Sequence, residues 1–360
     1  MSHYERRLEK DLKQIRKGVR ILAKQVGTAL KNAIDALLSG DEDKAYSTVL
    51  GDTRINRVSR EIDRLCHAFI ARHLPSAGHL RLISSVLRSN IALERIGDYA
   101  VNISRESRQL SHPPEGSVRR NLASLSSEAQ KVLNLAVEGF LNDSPETARA
   151  TISMLSNLEP SMDGVYDELL ADGSDRTARE MVALFAAFSL LKRVTDQAKN
   201  IWEQTLFAVS GESKEPRPYR VLFLDRSSGA LSRIAAALAG KHYPDVCHFT
   251  SAAKMETKLP AKPIKKFMDE HGIDGSGIEV TPMEALKHDL PAFDVIISLQ
   301  GPVRDYMTMI PFHASAFEWK ITAPLEKGSD EEVNGRLEEI YRDLMPKLEE
   351  LANTLAGSDF

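Results

Sequence analysis

The sequence predicts a multidomain chain of α and α/β class. Two tandem, pseudo-repeated three-helix bundles come first. A small three-layer α/β domain with a short parallel sheet follows. Three observations carry this. From His3 to about Gly211, apolar residues recur at spacings of three and four and proline is scarce, as in amphipathic helices. Within that region Leu93-Glu94-Arg95-Ile96-Gly97-Asp98-Tyr99-Ala100-Val101-Asn102-Ile103 is nearly repeated as Leu191-Lys192-Arg193-Val194-Thr195-Asp196-Gln197-Ala198-Lys199-Asn200-Ile201. Glu94 and Lys192 are 98 positions apart, about the length of one small bundle. Beyond Pro218 the pattern changes to short apolar runs alternating with helical stretches, which argues for a parallel sheet.

Breaks at Gly40-Asp41, His73 to Gly78, the Pro113-Pro114 pair, Asn142 to Pro145 and Ala171 to Ser174 divide the first region into six helices. They are expected near 3–38, 43–72, 76–109, 117–141, 145–170 and 175–210. The repeat falls on the third helix of each set, which places bundle domains at 1–110 and 117–212. Lys214 to Pro218 reads as a linker to a third domain at 219–356. There, strands are expected at 219–224, 246–250 and 293–299, and helices at 231–239, 261–271 and 330–355.

The chain has 360 residues, 42% hydrophobic and 27% charged, an ordinary globular composition. A net charge of −4 gives no general drive toward nucleic acid or anionic lipid, so no nucleic-acid partner is expected. No apolar run reaches the ~18–20 residues of a membrane span, and the charged start from Met1 to Lys17 does not read as a secretory signal. Cys66 and Cys247 are far apart without CxxC spacing, which suits a reducing cytoplasm. His67 and His73 are expected at the surface or an interface. Trp202 and Phe207 are expected in the core or a dimer seam, with Trp319 anchoring the last strand.

Four-residue spacing stacks side chains on one helix face, and it recurs in Asp52/Asn56, Glu94/Asp98, Asp163/Asp167 and Lys192/Asp196. Pairing helix two with three, and five with six, brings such a pair from each partner together. Oxygen ligands from neighbouring helices are a bundle-core recipe for iron, manganese or magnesium. Against this, charged helices show four-spaced acids by chance on solvated faces. Lys192 would supply its own positive charge at the second site, so a metal is expected at the first site before the second.

His3-Tyr4-Glu5-Arg6, Gly51-Asp52-Thr53-Arg54-Ile55-Asn56, Leu74 to Ile83 and Leu93 to Ile103 together resemble the PhoU family over about residues 1–210. The resemblance implies a regulator of bacterial phosphate uptake and signalling, built from two pseudo-repeated bundles. It implies metal clusters at Asp52, Asn56, Glu94 and Asp98, and at Asp163, Asp167 and Asp196. The expected cofactor is thus a divalent or iron-type metal ion at the first bundle. The expected partner is a phosphate transporter subunit or sensor kinase. Three positions depart from the family pattern: Lys192 replaces a glutamate, Thr195 a glycine, and His79 an acid.

The run from Val221 to Leu238, VLFLDRSSGALSRIAAAL, reads as a strand, a tight loop and a helix start, which can point N–H groups at an anion. It lacks the Walker glycine-lysine pattern. With Phe249-Thr250-Ser251-Ala252, Asp294 to Leu299 and Glu318 to Pro324, it resembles the low-molecular-weight tyrosine phosphatase and arsenate reductase family over about 219–355. Asp225 stands at the nucleophilic cysteine position, Leu231 at the arginine position and Ala323 at the general-acid position. A phosphocysteine route needs all three groups, so the domain reads as degenerate. Ser227, Ser228, Gly229 and Ser232 are its weak candidate anion ligands. Asp225 reads as a structural or helix-capping aspartate rather than a haloacid-dehalogenase-type nucleophile, whose second aspartate would fall on Ser227.

The expectation is a cytoplasmic, non-enzymatic, metal-binding adaptor of phosphate uptake or phosphate-responsive signalling. It would be a homodimer carrying a catalytically inactive phosphatase-like module, peripheral to the membrane only through its partners. The alternative is a phosphatase or arsenate reductase with a regulatory PhoU-like domain.

Overall fold

The computed structural model describes residues 3–149, 169, 176–212, 217–226, 230–254, 261–273, 280–286, 289–321 and 329–357. The chain divides into two compact units, Met1–Glu215 and Pro216–Phe360.

The first unit is helical. Its long described helices are α1 (His3–Ser39), α2 (Glu42–His73), α3 (Ala77–Ser107), α4 (Gly116–Leu141) and α5 (Ala178–Ser210). The expected helix at 145–170 is helical at 145–149, and the rest falls almost wholly outside the described residues. Along α1, Ile15, Val19, Leu22, Val26, Leu30, Ile34 and Leu37 form one buried stripe, the face a 3.6-residue period turns to a core. At the start of α2 the Asp41 side chain accepts the Lys44 N–H at 3.0 Å. The same helix ends at Leu74, which adopts a left-handed conformation with φ 42°, an uncommon one for a branched residue. A capping box opens α5, with Thr177 and Glu180 each bonding the other's backbone N–H, and Gly211 at φ 79° closes it.

The two repeat-bearing helices, α3 and α5, pack against each other, and α1 packs on α4. Both bundles therefore share one continuous apolar core. Trp202 of α5 is fully buried in it. Its indole ring fills the slot left by Gly139 of α4, where an added Cβ would lie 2.1 Å from Cζ3. His73, expected at the surface or an interface, is 4% exposed and packed within the helical unit. Its Nε2 meets Asp11 at 3.0 Å, and Tyr4 and Phe69 flank the ring. An acid partner and two aromatic walls make burial of an imidazole tolerable. His67 is exposed.

The second unit is built on a five-stranded parallel sheet in the order β3-β2-β1-β4-β5. The strands are β1 (Tyr219–Asp225), β2 (Cys247–Ala253), β3 (Val280–Pro282), β4 (Val295–Ser298) and β5 (Ser315–Glu318). The helices are α6 (Ala230–His242), α7 (Ala261–Glu270) and α8 (Asp330–Ala356). Val221 of β1 stands between Phe249 and Val295 in register. β1 is buried on both faces from Val221 onward, which explains its unbroken apolar run. Val221, Phe223, Val295 and Ile297 join the core under α6 and α8. Leu222, Leu224 and Ile296 face a second core closed by Met283, Leu286, Leu290, Val303 and Tyr306. The short strands β3 and β5 were not expected. All four residues of β5 are exposed, so no alternation marks it in the sequence. No described helix is long and apolar enough to cross a membrane.

Candidate functional site

Polar side chains line the seam where α2 meets α3. Gly97 sets its width: a Cβ there would lie 3.2 Å from Ile55 Cγ2. The missing side chain lets α3 settle on α2 beside Asp98. Asn56 donates Nδ2–H to Asp52 Oδ2 at 2.8 Å. Asp52 Oδ1 and Asn56 Oδ1 are buried with no hydrogen-bond partner among the described residues. Opposite them, Glu94 and Asp98 are half-buried. Burial pushes the Glu94 carboxyl above its ordinary range, and the charges of Asp98 and Asp52 add to this. Asp98 is raised by burial and then by Asp52. The structure thus brings together the four residues read from the sequence for the first site.

Two further residues extend the seam and were missed. Asn90, one turn before Glu94, donates to Ser59 O at 3.0 Å and Asp63 Oδ1 at 2.8 Å. Its own Oδ1 is buried without a partner among the described residues. The signal was present: Asn90 is four before Glu94, and Asp63 is seven after Asn56.

The seam suits an oxygen-seeking cation in donor type. Hard cations take carboxylate and carbonyl oxygens, and orphaned buried oxygens beside acids held partly toward protonation lack a positive charge. Among the described residues, however, no three of His, Cys, Asp and Glu are drawn together as a metal-binding group. At the second repeat, Asp196 and Lys192 lie half-buried on α5. Asp163 and Asp167 fall outside the described residues. Thr195, where the first repeat has Gly97, is buried and donates to Leu191 O at 3.4 Å.

In the second unit, β1 lies where the strand order reverses, between β2 and β4. Ligands in open α/β sheets bind beyond the strand ends at such a point. Asp225, 1% exposed, ends β1 and accepts the Ser232 N–H at 3.1 Å. It therefore caps α6 and places a carboxylate near that helix start. Ser232 is fully buried, and Leu231, at the position of the resembled family's arginine, is 4% exposed within the apolar core. Ser227, Ser228 and Gly229 fall outside the described residues, as does Ala323. Arg226 is ion-paired with Asp305 and donates its backbone N–H to Gln300 Oε1 at 3.2 Å. The Tyr306 hydroxyl donates to Gln300 O at 2.5 Å. Burial and the nearby Asp225 push that phenol up to about 12. Neither cysteine offers a thiolate: burial raises Cys66 to about 12 and Cys247 to about 11.

The helical unit carries a seam of opposed acids, and the α/β unit carries a buried carboxylate at the end of β1. Comparison with known proteins bears on the N-terminal part. Residues 19–107 match the PhoU domain. The chain is 28% identical over 214 residues to a phosphate-specific transport system accessory protein PhoU homolog of Pseudomonas aeruginosa, covering 58% of this chain and 88% of that one. It is 26% identical over 214 residues to the PhoU accessory protein of Escherichia coli K12, covering 59% and 88%. The crystal structure of PhoU from Pseudomonas aeruginosa superposes with a TM-score of 0.53 at 27% identity, over 57% of this chain and 99% of that one. An arsenate reductase in the phosphate binding state aligns with 38% of this chain and 98% of its own, at 19% identity and a TM-score of 0.31. That match is too weak for any argument to rest on it. The PhoU resemblance read from the motifs holds: the PhoU domain and its homologues cover the N-terminal part.

Proposed function

We propose that this chain is a cytoplasmic, non-enzymatic regulator of phosphate uptake or phosphate-responsive signalling. It acts by contact with a phosphate transporter subunit or a sensor kinase. The observation that carries this is the coincidence of two things on α2 and α3: similarity to the PhoU accessory proteins and the acidic seam of Asp52, Asn56, Glu94 and Asp98. In this reading the seam holds a divalent or iron-type cation that fixes α2 against α3, and so the surface a partner sees. The second bundle contributes Asp163, Asp167 and Asp196, with Lys192 as a built-in counter-charge. The chain works as a homodimer. Its α/β unit is an inactive phosphatase-like module, because Asp225 is spent on capping α6 and Leu231 on the core.

The test is affinity purification from cells grown at high and at low phosphate. Recovery of a phosphate transporter subunit or sensor kinase in a phosphate-dependent amount supports the reading, and absence of both sinks it. Turnover of p-nitrophenyl phosphate or arsenate that disappears in Asp225→Asn would replace the inactive module with an enzyme.

A further inference from the structure

The turn between α2 and α3 departs from the ordinary chemistry of a helix end. Leu74 closes α2 in the left-handed region, at φ 42° and ψ 63°, with its N–H on Ile70 O at 3.3 Å. Glycine or asparagine commonly fills that position, because an L side chain is strained there. Burial could offset the strain, but Leu74 is 89% exposed, more than any other large hydrophobic among the described residues. Neither the turn nor the core therefore accounts for its side chain. The base beneath it is fixed. Tyr4 of α1 donates its hydroxyl to His73 O at 2.6 Å, Asp11 holds the His73 ring, and Pro75 follows with its locked φ. Tyr4 is 52% exposed beside the turn, and Leu80 is 48% exposed at the start of α3.

The charge that α2 and α3 bring to this end is all positive. From His67 to Leu93 the chain holds Arg72, Arg81, Arg88 and three histidines, and no Asp or Glu. The last turn of α2 carries Arg72 and His73, while the first turn of α3 has neither an acid nor a side-chain cap. The positive end of α3 is thus left without a counter-charge of its own. Asp11 of α1 reaches in, but its carboxylate is shared between His73 at 3.0 Å and Arg72 at 3.7 Å. Arg81 and Arg88 form no ion pair among the described residues. The first turns of α1 add Glu5, Arg6, Arg7, Glu9 and Lys10, close to balanced.

We propose that the α2–α3 turn docks Leu74 into an apolar socket rimmed by carboxylates on a partner protein. Tyr4 and Leu80 flank the knob, and Arg72 meets the rim. An apolar anchor inside a polar rim is the usual anatomy of such contacts, and opposite charge steers the encounter. An anionic membrane has the right sign of charge, but membrane binding grows with apolar area along a helix face. Here one knob protrudes from a fixed, strained backbone, which suits a socket. The contact goes beyond the regulatory reading and does not rest on it, because it fixes a surface and the chemistry it meets, not the partner's identity.

Photocrosslinking of the full chain in its own cells tests this, with p-benzoylphenylalanine in place of Leu80. The adduct should be with a protein, and peptide mapping should place the crosslinked residue in an apolar cluster bordered by Asp or Glu. Leu74→Asn keeps the left-handed turn, which asparagine tolerates. It should cut the adduct by about tenfold or more, the loss of one buried apolar side chain. Arg72→Gln should lower it about two- to fivefold, as expected of a rim charge. The thermal unfolding midpoint of purified Leu74→Asn should not fall below wild type. Flotation with phosphatidylglycerol vesicles tests the membrane: vesicle binding by wild type that is lost in Leu74→Asn would overturn the protein partner. No protein adduct in wild type, an undiminished adduct in Leu74→Asn, or a socket without carboxylates would also overturn the proposal. So would a lowered Leu74→Asn midpoint, which would mean that Leu74 serves the fold. Whether the crosslinked protein is a transporter subunit, a sensor kinase or another protein bears on the regulatory reading alone.

Discussion

Neutralising the seam should stabilise the metal-free protein, the opposite of what removing a buried ion pair does. Glu94 is raised by burial and by the charges of Asp98 and Asp52, and Asp98 by burial and Asp52. A like-charged pair four apart on a helix costs about 0.2–0.5 kcal/mol. Glu94→Gln/Asp98→Asn should therefore gain about that much at neutral pH. A unit of 150–250 residues shifts about 2–4 °C per kcal/mol, so its midpoint should rise by about 0.4–2 °C. A raised carboxyl pKa stabilises the fold below its unfolded value, and the advantage is lost as pH rises through the folded value. The gap between wild type and variant should thus close below roughly pH 4. A bound cation reverses the order. At a hundred times its dissociation constant it contributes about 2.7 kcal/mol, or about 5–10 °C, to wild type alone. The assay is thermal unfolding in a Trp319→Phe background, where Trp202 is the remaining tryptophan and reports on the helical unit. Scans are run with chelator and with added Mn²⁺. A variant less stable than wild type in chelator would refute the charge argument. Equal Mn²⁺ shifts in both proteins, or none, would refute the seam as the cation site.

Three other perturbations test separate parts of the structure. Glu180 accepts from the backbone and hydroxyl of both Ser111 and Thr177, at 2.6–2.9 Å, which holds its carboxyl far below the ordinary range. Such stability is present above the unfolded value and lost on acidification below roughly pH 5, so Glu180→Gln should lower the neutral-pH melting midpoint and flatten its acid dependence. Gly139→Ala forces a Cβ to 2.1 Å from Trp202 and should cost about 2–3 kcal/mol, typical of an overpacked core, with a shifted Trp202 emission. Asp225→Ala removes the acceptor for Ser232 N–H and should cost the α/β unit about 1–2 kcal/mol in denaturant unfolding.

Much of this protein could be read from residue order alone, for a physical reason. Helices in the first unit bury stripes with a 3.6-residue period, and capping residues such as Asp41 and Gly211 mark their ends locally. β1 and β4 are buried on both faces, so their apolar runs are continuous. The pairing of Asp52/Asn56 with Glu94/Asp98 followed from spacing plus helix order. β5 was illegible because its exposure leaves no pattern. His73 misled because a buried imidazole depends on Asp11, sixty-two residues away. Asn90 and Asp63 were passed over because their bond joins two helices.

The sequence by itself determined the helices, the repeat, the change to an α/β unit and the acids of the first seam, since each depends on short-range periodicity and residue type. Only the tertiary structure decided how closely the acids meet. That distance is set by a glycine on one helix against an isoleucine on another. The same holds for the shared core of the two bundles and the capping task of Asp225. Each is a long-range contact, and no local pattern in the chain encodes which surfaces will touch.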